Sequence, residues 1–516
     1  MPDPRAAGVA QSEEGAREPG EARLLASGAI VQQVAQASGL LVLLIVVTIL
    51  ARRLSVAELG AYGLVASLAG YLLALRNSIA SSTVRAMAGA VERDERSRMF
   101  STAAALYGAV GLATGLVIAA AALAIAGAIL EGSLASDARF GGVGLGLVTA
   151  VGITATVYLD ALRAERQFVR AARTEIVAVS LYLVLMLTLI FAGAGLGVLI
   201  AASGAIPLFS GSLCALVAWR AHLGFRFSAA GVARRRAMLI VPTAGWLLVV
   251  ELCNLAMYAF SRVILGAYGT AATVGRYEGP VRAHNLLYAL GGALAVPVVP
   301  TAARYIATGD DRRLRELVVR GTRYTLALFV PLCVTLIVLA GPILDVWLGQ
   351  RYGDGDLALA ILVSYWLLYG GLVVTPGFLV GAGRAPALAR IMIVVAAANL
   401  ALALVLTPEL GLEGPPVATA LPFFLAFPFI LRLGLRASGA RISELAERAW
   451  LPNYALGAAL ALGLLAWRSV AGDDTLVVAG GALGPLVYWL LFDRLVLDSG
   501  ERELVRGLVS RRGRAR

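Results

Sequence analysis

Residues 49–63 read ILARRLSVAELGAYG: the end of one apolar run, a short polar loop, and the start of the next run. Far downstream, residues 264–278 read ILGAYGTAATVGRYE. Ile49 falls on Ile264, Leu50 on Leu265, Gly60 on Gly275 and Tyr62 on Tyr277, all at an offset of 215 (277 − 62). One offset that serves two hydrophobic contexts predicts a chain of two related halves. Such internal repeats are common in transporters.

Composition fixes the solvent. Of 516 residues, 59% are hydrophobic and 15% charged, and the mean hydropathy is +0.82. The apolar runs are long enough to cross a bilayer at roughly 20 residues each. In lipid a segment must satisfy its own backbone hydrogen bonds, so these runs are expected to be helices. The net charge is +12, and all 44 basic residues are arginine. They sit in the loops between spans, which reads as membrane topology rather than nucleic-acid binding. Cys214, Cys253 and Cys333 lie inside apolar runs, without disulfide or metal-ligand spacing, and are expected to be buried apolar side chains. The first 22 residues are polar and acidic, and they lack the basic start and short apolar core of a signal peptide.

The pattern predicts an all-α integral membrane protein of about fourteen transmembrane helices. The expected divisions are a cytoplasmic tail (1–27), an N-terminal six-helix bundle (28–220) and a basic cytoplasmic linker (221–237). A pseudo-symmetric C-terminal six-helix bundle (238–437), two additional helices (438–498) and a basic tail (499–516) follow. Arginines crowd every second loop, for example Arg93, Arg96 and Arg98, then Arg163, Arg166, Arg170 and Arg173, then Arg234, Arg235 and Arg236. The intervening loops are short and acidic, with Asp354, Asp356, Glu409, Glu413, Asp473 and Asp474. The alternation places both termini in the cytoplasm. The repeat also extends to Ala164-Glu165-Arg166 and Ala382-Gly383-Arg384, offset by 218 (382 − 164).

Three stretches carry a family resemblance: ARRLSVAELGAYGLVASLAG at 51–70, VPTAARYIATGDDRRLRELVVRGTRY at 299–324, and PGFLVGAGRAPALARIMIVVAAANLALALVLTPELGLEGPPVATAL at 376–421. Together they resemble the polysaccharide (O-antigen type) flippases of the multidrug/oligosaccharidyl-lipid/polysaccharide exporter superfamily. The resemblance covers most of the chain, in register with the expected spans. It implies paired six-helix bundles, alternating access and no cofactor. It also implies a monomer in the bacterial inner membrane that moves an undecaprenyl-pyrophosphate-linked oligosaccharide to the outer leaflet. The two extra helices could line a groove for the lipid tail, contact a polysaccharide polymerase or simply pack against membrane lipids.

Such a cargo needs a cationic site for phosphate. Arginine suits it, because its planar fork donates paired hydrogen bonds and stays charged. An arginine at mid-bilayer costs about 2.5–3.5 kcal/mol on insertion scales, so it faces a cavity or a partner. Arg76, with Asn77 beside it, lies roughly 27 Å along its helix from Glu58 at ~1.5 Å per residue. It reads equally as a phosphate contact or as a snorkelling interfacial residue. Arg282, His284 and Asn285 form a second group near the outer end of the eighth span. Glu278, four residues before Arg282, is the competing ion-pair partner. Glu251 and Asn254 sit inside the seventh span, and the offset maps Glu251 onto Gln36 of the first (251 − 215). A membrane-buried carboxylate could couple transport to protons, or could pair with Arg262 or Arg282.

The alternatives are a multidrug exporter of the same superfamily, expected to favour acidic and aromatic cavity residues, and a lipid II flippase. Arg76 and Arg282 favour anionic cargo over cationic drugs. A membrane polymerase or glycosyltransferase would need a large outer loop, and none is present. No lysine exists to complete a nucleotide-binding P-loop, so ATP hydrolysis is not expected, and with its short outer loops the chain is read as a transporter and not an enzyme.

Overall fold

The computed structural model describes residue 31 and residues 34–90, 92–295 and 298–502. The tail 1–27, Gln32, Gln33 and residues 503–516 of the basic tail lie outside the described residues. Among the described residues there are helices and turns but no strand. Nine helical segments there are long and apolar enough to cross a membrane, and a bent pair, Leu196–Ala202 with Ala205–Arg220 at 42°, makes a tenth. One of the nine, Pro386–Ser438, holds two successive helices. The protein is thus an all-α, multi-pass membrane protein; fourteen stays an expectation of the sequence. The structure divides into two compact units, residues 1–53 with 64–252, and residues 54–63 with 253–516.

The first unit holds α1 (Val34–Arg53), the part of α2 (Val56–Ala88) from Leu64 onward, α3 (Arg93–Ala128), α4 (Gly132–Ala155), α5 (Val157–Ala164), α6 (Phe168–Phe191), α7 (Leu196–Ala202) and α8 (Ala205–Arg220). It also takes the start of α9 (Arg234–Tyr268). Lipid is as apolar as leucine, so helices in it associate by close packing at small residues. Gly111 and Gly115 of α3 face Ala150 and Gly146 of α4, and a Cβ on either Gly115 or Gly146 would strike the other's carbonyl. On its other side α4 presents Gly141 to Gly197 of α7, and its Ala155 meets Gly211 of α8. Glycines on two sides of α4 therefore make it the centre of this unit. Leu147, Val184 and Phe140 stand more than half exposed, as apolar side chains facing hydrocarbon should.

The second unit continues with α10 (Ala271–Ala295), α11 (Val298–Ala307), α12 (Asp311–Val338), α13 (Ala340–Leu348), α14 (Asp356–Ser364), α15 (Trp366–Tyr369) and α16 (Val374–Gly381). Two long helices follow, α17 (Ala385–Leu410) and α18 (Gly414–Ser438), then the short α19 (Ile442–Leu445). The chain ends in α20 (Leu451–Ala471), α21 (Asp474–Gly481) and α22 (Gly484–Leu495). Asn399 of α17 donates to the Ala418 carbonyl at 3.1 Å and to Thr419 Oγ1 at 3.0 Å, tying α17 to α18. α20 and α22 pack against α12: Tyr488 OH reaches Asn453 Oδ1 at 2.7 Å, and Trp489 Nε1 donates to the Ala327 carbonyl at 2.7 Å. Cys214 and Cys333 are buried free thiols, and Cys253 is half-buried.

Residues 54–63 of the first motif copy lie in this second unit, together with the whole of the second copy. Gly60 faces the Ala271 carbonyl and Gly275 faces the Val56 carbonyl. The offset of 215 carries Val56 onto Ala271 and Gly60 onto Gly275, so the contact is reciprocal, as in a two-fold interface. α10 begins at Ala271, so Arg282 stands eleven residues in, about 16 Å at ~1.5 Å per residue.

Candidate functional site

Each unit encloses a cluster of charge that contains a fully buried carboxylate. In the first, Arg76 of α2 pairs with Asp160 of α5, and its Nε donates to Thr156 Oγ1 at 3.1 Å. Asp160 is fully buried. It also accepts from Tyr107 OH of α3 at 2.6 Å and from Arg163 at 3.2 Å. Arg163 in turn meets both carboxylate oxygens of Glu175 on α6, at 3.1 and 3.0 Å. Two guanidiniums and two carboxylates alternate, and the charges cancel. A buried carboxylate is tolerable only when donors surround it, and here three side chains do so. Arg76 is therefore the buried partner of an acid 84 residues away.

The second cluster is built differently. Arg262 of α9 donates from Nε to Glu278 Oε1 of α10 at 2.7 Å, and both side chains are 1% exposed. Arg282, one turn further along α10, holds the other oxygen of Glu278 at 3.2 Å and keeps 19% of its side chain exposed. These three residues sum to one positive charge, with Arg282 the accessible member. The ion pair weighed from sequence is present, and a second guanidinium shares it.

His284, two residues beyond Arg282, is buried in an aromatic box. Its Nε2 lies 2.6 Å from Tyr365 OH and its Nδ1 lies 3.3 Å from Asn285 Oδ1. Tyr365 stacks on Phe423 at 4.6 Å between centroids, and Trp366 stacks on Phe329 at 5.2 Å. Arg282, His284 and Asn285 are thus neighbours, but His284 faces into protein packing.

Gln36 stands exposed on α1. Asn77 follows Arg76 in α2, and Glu251 and Asn254 lie in α9; the side chains of these three are outside the described residues. Asp160, Arg163, Glu175, Tyr107 and Tyr365 carry the clusters without having been singled out from sequence. For Asp160 a signal existed: an acid inside an apolar run with an arginine three residues on.

The fold is that of a multi-pass membrane protein built of two helical units, each with buried arginine–carboxylate pairs. The chain belongs to the family described as polysaccharide biosynthesis protein, whose model matches residues 49–355, more than half of its length. It resembles the lipid II flippase MurJ in an inward closed conformation, with a TM-score of 0.69 and 15% identity over 90% of this chain and 99% of that one. It also resembles an inward-facing multidrug resistance MATE family transporter of the MOP superfamily, with a TM-score of 0.66 and 18% identity over 80% of this chain and 98% of the other. At these identities the likeness is one of fold. In sequence it is 22% identical over 160 residues to the "Probable low-salt glycan biosynthesis flippase Agl15" of Haloferax volcanii. The chain spans 34% of that relative's length. These relatives are transporters and flippases rather than enzymes.

Proposed function

We propose that this chain is a flippase for an undecaprenyl-pyrophosphate-linked oligosaccharide, moving it from the inner to the outer leaflet of the bacterial cytoplasmic membrane by alternating access. The observation that carries the reading is the sharing of one carboxylate by two guanidiniums, with Arg282 partly open. Two guanidiniums on one carboxylate leave a net positive charge inside an apolar helix bundle, which is costly to keep without a further anion. Pyrophosphate matches its paired donors. The net positive charge of this cluster disfavours a cationic drug by simple repulsion. Family membership supports a glycan-bearing cargo, and the absence of lysine leaves membrane potential, an ion gradient or consumption of product outside as the driving force.

Reconstitution tests this reading. Proteoliposomes carrying the purified chain should expose a fluorescent lipid-linked oligosaccharide to an external quencher, and should not extrude cationic dyes. Dye extrusion without movement of several lipid-linked glycans would instead favour a multidrug exporter.

A further inference from the structure

The reversal that follows α8 builds a cavity that neither charge cluster explains. It measures about 1000 Å³ and lies in the first unit, between the start of α3, α5 and the end of α8. Arg93, Arg226 and His222 stand at its polar side; Leu216, Trp219 and Tyr158 contribute to its apolar wall. Asp94 also lines it, but Arg98 holds that carboxylate at 2.6 Å. Beside it, Glu165 is paired to Arg96 at 2.6 Å. The unmatched charge facing the cavity is therefore positive.

The loop is constructed rather than loose. α8 ends with Leu223 N–H bonded to the Ala218 carbonyl and His222 N–H to the Trp219 carbonyl, the paired pattern of a helix stopped by one left-handed residue. That residue is His222, at φ +50°, where glycine is the inexpensive choice. Gly224, at φ +76°, leaves room for the Arg93 guanidinium. Phe225 then turns inward to stack on Phe100 at 5.1 Å, and Ser101 Oγ donates to the Arg226 carbonyl at 3.3 Å. Arg226 itself is exposed at the cavity, and among the described residues no hydrogen bond or ion pair engages its guanidinium. Trp219 is 73% exposed beside Leu216, on a face of α8 that hydrocarbon would cover.

Guanidiniums above an exposed tryptophan and leucine form an amphipathic receptor: phosphate at the top, hydrocarbon below. We infer that this cavity binds the phosphate headgroup of an anionic phospholipid from the arginine-rich leaflet, with an acyl chain lying along Leu216 and Trp219. Basic pockets between membrane helices on the cytoplasmic side take such headgroups. The site is separate from the Arg282 cluster and does not depend on the cargo proposed above.

Tryptophan quenching in nanodiscs tests it, with the full-length protein and phosphatidylglycerol brominated on its acyl chains, diluted into phosphatidylcholine. The signal of Trp219 is the wild-type quench minus that of Trp219→Phe. Quenching should half-saturate at a lower fraction of phosphatidylglycerol than of brominated phosphatidylcholine. Arg226→Gln should raise the required fraction roughly fivefold, the usual worth of one arginine near a charged surface, and Arg93→Gln should act in the same direction. If Arg93→Gln lowers the melting temperature, Arg226→Gln decides alone, since its guanidinium makes no hydrogen bond or ion pair with a described residue. Equal quenching by both lipids, or no change in Arg226→Gln, would overturn the assignment. Displacement by millimolar inorganic phosphate would make it a free-phosphate site. Displacement by undecaprenyl pyrophosphate at equal fraction, with other anionic lipids inert, would make it a docking point for cargo. Either result would also overturn it.

Discussion

Gly63 and Glu278 occupy the same place in two copies of one motif, and they touch. A methyl group on Gly63 would collide with the Glu278 carboxylate, which Arg262 and Arg282 share. The offset of 215 pairs these residues just as it pairs Gly60 with Gly275. The scaffold therefore repeats while the chemistry does not: one copy supplies a carboxylate, and the other supplies the space for it.

Gly63→Ala should consequently disturb a charge pair rather than only a packing contact. Overfilling a packed position costs typically 1–3 kcal/mol, about the range expected here. Thermal unfolding in detergent measures it. Combined with Glu278→Gln, the loss should fall short of the sum of the two single losses, because both act on one carboxylate. Full additivity would contradict the contact.

Gly60→Ala and Gly275→Ala should each separate the start of α2 from α10, because the obstacle is backbone in both directions. Neither carbonyl can swing aside as a long side chain can. Each variant should melt below wild type by at least as much as Gly63→Ala. A variant at either glycine that melts like wild type would refute the reciprocal packing.

The Arg76–Asp160 pair predicts a marked asymmetry. Asp160→Asn leaves a buried guanidinium short of its acid and should cost about 3–5 kcal/mol. Replacing both, as Arg76→Met with Asp160→Leu, removes the two charges together and should cost far less. A double-mutant cycle on unfolding free energy reads the difference. Losses that simply add would show that the two residues are not coupled.

The C-terminal helices make their own prediction. Tyr324 OH lies 2.8 Å from Glu501 Oε1, and Arg323 pairs with the same carboxylate, which is buried. Tyr488→Phe should cost about 1 kcal/mol, the usual worth of one hydrogen bond. Glu501→Ala should cost more, since it strands Arg323. Limited proteolysis should then cut first near residue 495. Unchanged protection in Glu501→Ala would show that the ion pair does not hold this end.

Sequence made the scaffold readable where physics is local or repetitive. Apolar runs near 20 residues can only be helices in lipid, so the all-α membrane fold followed from composition. Gly60 and Gly275 announced the repeat because both copies keep the small residue their contact requires. Arg282 and Glu278 were legible as an i, i+4 pair on one helix. Arg76 and Asp160 were not, because no periodicity links residues 84 apart. Arg262 was considered as a partner for Glu251 rather than for Glu278, because the turn between α9 and α10 sets which acid it meets. The aromatic box around His284 was equally hidden, since Tyr365 arrives from a separate helical region.

The central claim is that Arg282 meets an anionic headgroup. It is tested most directly by the initial rate at which fluorescent undecaprenyl-pyrophosphate oligosaccharide crosses the bilayer of proteoliposomes. Wild type is compared with Arg282→Ala, and an uncharged glycolipid of similar size serves as control. Arg262 alone still balances Glu278 in the variant, so its melting temperature should stay near wild type. A charge-assisted hydrogen bond is worth about 1.5–3 kcal/mol, so the charged cargo should slow by roughly 10–100-fold, while Arg282→Lys keeps part of the rate. An Arg282→Ala rate equal to wild type, in protein that melts normally, would contradict the account.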